Sequence, residues 1–148
     1  MSPISVAAAD LRGDRLVVYS SSQTRDGFWI TNGEFELLAP ASSDQELGAA
    51  VLRMLDASRS QVRTPNLRGP SPFSPVLEAL GLRSWSAYAR GLLHVHIERE
   101  GRSVKVAPSR NGGSREGLVG IVEDTVLLSD PSAESLGSAV RAAFADCS

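Results

Sequence analysis

The chain has 148 residues, 42% of them apolar and 22% charged, with a formal charge of −2 and a mean hydropathy of −0.07. These values fit one globular domain that can bury its own core, and they exclude a disordered or fibrous chain. The single cysteine, Cys147, excludes an internal disulfide and a thiolate metal cluster. No basic segment leads into a long apolar run at the N-terminus, and no stretch of about 18 apolar residues occurs. The sequence therefore predicts a cytoplasmic protein with no membrane partner.

The chain compared with itself predicts two similar units, residues 1–58 and 92–148, joined by a connector over 59–91. In the first unit, Ile4–Ala9 and Leu16–Val18 have strand character around the turn Arg12-Gly13-Asp14. Phe28–Thr31 and Glu34–Leu38 flank Asn32-Gly33, a dipeptide suited to the positive φ angles of a tight hairpin turn. In SSDQELGAAVLRMLDAS, Ser43 and Glu46 have the spacing of a capping box. Leu47, Ala50, Val51, Met54 and Leu55 then make one apolar helical stripe.

The connector contains Pro65, Pro70, Pro72 and Pro75, which predict a loop over Thr64–Pro75. Short helices are expected over Pro75–Leu82, ending at Gly81, and over Ser84–Arg90, with Trp85 and Tyr88 on one face. The second unit repeats the pattern at offsets of 88 and 89 residues: Leu92–Glu98, Val104–Val106, and a Gly-rich loop around Asn111–Ser114. Leu118–Val122 and Thr125–Leu128 then flank Glu123-Asp124. Asp130 and Pro131 can open a final helix with Leu136, Ala139, Val140, Ala143 and Phe144 along one side. Gly48 and Gly137 occupy equivalent helix positions, where glycine costs about 1 kcal/mol relative to alanine, so close approach to a neighbouring strand is expected at each. The predicted fold is α+β: a single domain of two pseudo-repeated antiparallel β-hairpin units, each of four strands closed by an amphipathic helix. The helix stripes, Trp29 and Trp85 are assigned to its core.

Charge is unevenly spread. The balance is −4 over residues 1–58, +7 over 59–115 and −5 over 116–148. A basic stripe including Arg63, Arg68 and Arg110 could neutralise phosphates, which makes a small nucleic-acid-binding module an alternative function. Mutual pairing of the acidic and basic segments is the simpler expectation, because the pI is acidic and few aromatics accompany the arginines. Alternation places His94, His96 and Glu98 on one strand face, a set capable of binding a divalent metal. No second cluster supplies further ligands or a base, so a polar outer face is the expectation, with neither metal nor cofactor. No Gly-x-Ser-x-Gly elbow or phosphate loop occurs. The sequence predicts no catalytic residue and no enzyme.

The segments SDQELGAAVLRMLDASR, VLEALGLRSWSAYARG, HVHIEREGRSVKVAPSRN and PSAESLGSAVRAAFADCS together resemble the immunity proteins of bacterial contact-dependent growth inhibition systems. The most specific parts are the Leu47-Gly48 helix, the Gly81-Leu82-Arg83-Ser84-Trp85 turn and Pro108-Ser109-Arg110-Asn111. The resemblance implies a protein without catalysis that binds the C-terminal toxin domain of a large effector and blocks it in the cytoplasm. If that toxin is a nuclease, its basic groove would favour acidic contacts. On that implication the toxin-binding candidates are Asp10, Asp14, Glu34, Glu36, Glu123 and Asp124.

Overall fold

Alternating small and branched apolar residues form β1 (Ile4–Arg12) and β2 (Arg15–Gln23), which turn at Gly13 with φ +57°. They are followed by β3 (Trp29–Leu38), α1 (Asp44–Ala57), α2 (Ser74–Leu80), α3 (Trp85–Ala89), β4 (Leu93–Glu100) and β5 (Ser103–Ala107). Then come β6 (Ser109–Asn111), α4 (Gly113–Glu116), β7 (Leu118–Gly120), a 3-10 turn (Val122–Asp124), β8 (Val126–Ser129) and α5 (Ala133–Asp146). This computed structural model describes residues 3–66 and 68–148. Met1 and Ser2 of the predicted first unit, and Leu67 of the predicted Thr64–Pro75 loop, lie outside the described residues.

The fold is a single α+β domain. Six antiparallel strands run in the order β3-β2-β1-β4-β5-β8, and β6 pairs with β7 in a separate ribbon. At the centre β1 meets β4, with Ala8 opposite His96, 88 positions further along the chain. One face of this sheet carries Ala7, Ala9, Leu16, Val18, Val95, Ile97, Val104 and Val106. Against it pack Leu47, Val51 and Leu55 of α1 and Leu136, Val140 and Phe144 of α5. Ser43 caps α1 by accepting from the Glu46 amide at 3.1 Å, as the capping-box spacing predicts.

On the opposite face the connector covers only half of the sheet. Phe73, Val76, Tyr88 and Leu92 close over Ala8, Val17 and Tyr19 of β1 and β2. Towards β5 and β8 that face is more open, and Leu127 is 70% exposed. The two connector helices form where their turn chemistry predicts: Gly81 ends α2 with φ +71°, and Ser84 caps α3 by accepting from the Ala87 amide.

Several local expectations give way to longer-range pairing. Asn32-Gly33 makes no hairpin, because the segments on either side both pair with the nine-residue β2 and form one continuous β3. The register shifts opposite Tyr19–Ser21, so Asn32 and Gly33 lie in a bulge, with Gly33 at φ +87°. The segments around Glu123-Asp124 also do not pair with each other: β7 joins β6, and β8 joins β5. Among the described residues the first unit therefore has three strands and the second five, rather than four each. Asp130 is not the N-cap of α5. It sits at φ +45° with its amide donating to Arg102, and Ser132 caps the helix instead by accepting from the Ser135 amide. The loop expected around Asn111–Ser114 contains the single-turn helix α4.

Candidate functional site

Strand alternation places Asp10 on the connector side of β1, directly opposite His94 of β4. The carboxylate accepts a 2.5 Å hydrogen bond from the Tyr88 hydroxyl of α3 and a 2.6 Å bond from His94 Nδ1. Burial opposes a charge on His94, but the attraction and hydrogen bond of Asp10 outweigh it and hold the imidazole pKa above its ordinary value. Burial and the same carboxylate push the Tyr88 phenol far above its usual range, so it remains a donor. Asp10 is 0% exposed, which corrects its assignment as a toxin contact. The residue fastens α3 to the two central strands. Nearby, the Arg12 guanidinium donates to Ala87 O at 3.3 Å, while its buried Nε has no partner among the described residues.

His96 and Glu98 lie on the open half of the same sheet face. His96 Nε2 is 2.9 Å from Glu98 Oε1, and Lys105 Nζ is 3.3 Å from Glu98 Oε2. Partial burial would raise the Glu98 pKa, but the His96 and Lys105 contacts outweigh it and hold the carboxyl below its ordinary value. The strand brings His94, His96 and Glu98 to one face, as alternation predicts, yet His94 is engaged with Asp10 on a different strand. Among the described residues, no group of three or more His, Cys, Asp or Glu side chains is placed to hold a metal ion.

The other acidic candidates do not converge. Asp14 is at the β1–β2 turn, Glu34 and Glu36 are on edge strand β3, and Glu123 and Asp124 occupy the 3-10 turn that precedes the opposite edge strand, β8. Asp14, Glu34, Glu123 and Asp124 are exposed, whereas both Glu36 oxygens accept from Arg53 at 2.7 Å. Of the three arginines in the nucleic-acid alternative, Arg110 is held by Glu116 at 2.7 Å. The exposed acids are spread over separate places on the molecule and form no single patch.

Concavities lie beside the connector, and two of them have apolar walls. A largely apolar groove of about 600 Å³ runs between Ile30, Thr31 and Asn32 of β3 and the walls formed by Val62, Pro65, Pro70 and Pro72. A smaller cleft of about 290 Å³ is lined by Trp85, Ser86, Ala89 and Arg90 of the α3 segment and by Asn111 and Gly113. Sequence reasoning missed both, since each joins segments distant in the chain. Trp29 and Trp85, assigned to the core, are 36% and 46% exposed. In the five-residue α3, the inward position is filled by Tyr88, which leaves Trp85 at the rim. The available clue was Trp85 and Tyr88 three apart on so short a helix, where only one of the two reaches full burial.

A family model described as CDI immunity protein matches residues 5–147. The chain belongs to the CDI immunity protein family. The fold of this immunity protein is shared with a protein of unknown function from Neisseria meningitidis, at 21% identity and TM-score 0.80, covering 100% of this chain and 98% of that one. It is also shared with a chain of the CdiA-CT/CdiI toxin and immunity complex from Yersinia pseudotuberculosis, at 20% identity and TM-score 0.77, covering 99% and 98%. No curated protein sequence matches this family member. No helix among the described residues is long and apolar enough to cross a membrane.

Proposed function

We propose that this chain neutralises the C-terminal toxin domain of its cognate contact-dependent growth inhibition effector in the cytoplasm, by binding it and sterically blocking its active site. The observation that carries this reading is the family match over residues 5–147. A domain of the same fold from a toxin and immunity complex supports it. In this reading the protein acts by occupancy, with no catalytic residue and no cofactor.

The toxin is a nuclease. Its phosphate-binding groove is basic, and the exposed carboxylates at Asp14, Glu34, Glu123 and Asp124, although they form no single patch, favour encounter with it through long-range attraction. Glu36 is set apart from these four, because Arg53 already neutralises it. The test is co-expression with the toxin domain encoded immediately upstream. Rescued growth and a complex that co-elutes on size exclusion are expected. Continued growth arrest with no complex would overturn the proposal.

A further inference from the structure

We infer that the cleft between α3 and α4 receives an acidic segment of the toxin domain, with carboxylates held by Arg90 and by the arginines close to the cleft in the chain, and apolar atoms resting on Trp85. This deepens the reading that the chain binds a toxin and rests on it. The first observation concerns charge. Among the basic residues of 59–115, Arg99, Lys105 and Arg110 have carboxylate partners at 2.9, 3.3 and 2.7 Å. Arg90, which lines the cleft, and Arg83 and Arg115, each two residues along the chain from a lining residue, form no ion pair among the described residues, and all three are exposed. The expected mutual neutralisation of the chain's acidic and basic segments is therefore incomplete at this surface.

The second observation is Trp85. It remains 46% exposed although the rings of Phe73 and Tyr88 support it at 5.3 and 5.4 Å. A tryptophan supported in this way loses little freedom when a partner covers it. The cleft wall beside it is also fixed, because Asn111 Nδ2 donates to Ala89 O at 2.7 Å. Trp and Arg are the residue types that most often dominate binding energy at protein interfaces. Guanidinium groups pair with carboxylates through strong charge-assisted hydrogen bonds, so an acidic protein segment fits the site. A nucleic acid fits it less well: only 5% of the chain is aromatic and the whole chain carries −2, whereas strand binding needs several stacking rings along a continuous basic track.

The test uses the purified full chain and the purified C-terminal domain of the neighbouring effector, with affinity measured by calorimetry. The exposed double reversal Arg83→Glu/Arg90→Glu should weaken binding about 100-fold, and Trp85→Ala about 30-fold. Arg83→Lys/Arg90→Lys should stay within about tenfold of the parent, since the charge is kept while the planar fork is lost. Circular dichroism and melting checks confirm that each variant is folded, and the double reversal alters only exposed side chains. If the parent binds the toxin domain and the folded double reversal binds within about threefold of it, the cleft assignment is overturned while the immunity reading stands. No binding by the parent overturns both. If a 20-nucleotide RNA binds the parent and is lost in the double reversal, while toxin affinity is unchanged, the cleft is a nucleic-acid site and the inference fails.

Discussion

Gly48 and Gly137 bring the backbones of α1 and α5 together in reciprocal fashion, so each meets the other helix and not the neighbouring strand that the sequence predicts. A Cβ on Gly48 would lie 1.6 Å from the Ala133 carbonyl oxygen, and one on Gly137 would lie 1.8 Å from that of Asp44. Alanine would favour an isolated helix by about 1 kcal/mol, but here it must force two backbones apart, a larger cost. Gly48→Ala and Gly137→Ala are each expected to destabilise the fold by about 3 kcal/mol in urea unfolding. Because either substitution opens the same contact, the double variant should lose less than the sum. A stability gain in either single variant would show that the helices separate at little cost.

Removing a partner from the buried Asp10 leaves its remaining groups without compensation. Asp10→Ala is expected to cost about 3 kcal/mol, through loss of the bonds from both Tyr88 and His94. Tyr88→Phe should cost about 1 to 2 kcal/mol, since the ring still fills its site and only one donor disappears. The ordering is the useful readout. Equal losses in the two variants would mean that the hydroxyl alone accounts for the cluster.

Stability should depend on pH through His94. Its folded pKa is above 6.5, so its contribution is complete below the unfolded value and is lost as pH rises through the folded value. Glu98 acts in the opposite sense: its contribution is present above 4.5 and is lost as pH falls through the lowered folded value. Above about pH 5.5 the Glu98 effect is constant, which isolates the histidine. The stability difference between the parent and His94→Asn should therefore shrink steadily from about pH 6 to pH 9. A flat difference over that range would remove the charged His94–Asp10 pair from the account.

Asn32 should matter more than its place on an edge strand suggests. Its Nδ2 donates to Ser20 Oγ, Ser22 Oγ and Ala57 O at 3.0, 2.9 and 3.2 Å, which joins the bulge to β2 and to the end of α1. Asn32→Ala is expected to cost about 2 kcal/mol, whereas Glu36→Gln on the same strand should cost less than about 1 kcal/mol because its partner Arg53 is largely solvated. Thermal melts of the two variants would reverse this order if the bulge were held by the glycine alone.

The helices were the most legible part of the sequence. Their stripes, the Ser43 cap and the Gly81 stop depend on residues only a few positions apart. The hairpins were less legible because Asn32-Gly33 suits either a tight turn or a bulge, and only the long-range presence of β2 decides between them. The strand pattern placed His94, His96 and Glu98 on one face correctly. It could not show that α3 covers His94 and Asp10 while leaving His96 beside open sheet. The two clefts were invisible for the same reason, since their walls meet only after the connector crosses the sheet.

The pairing of β1 with β4 also sets when the protein can start to work. The strand that β1 needs is synthesised after the whole connector, and α1 keeps part of its apolar side uncovered until α5, starting at Ala133, has been made. At roughly 5 to 20 residues per second, several seconds or longer separate the synthesis of α1 from that of α5, which covers its apolar side. A nascent chain that stops before α5 would expose the Leu47–Leu55 stripe to the cell's quality control, so binding capacity should appear only once α5 has been made.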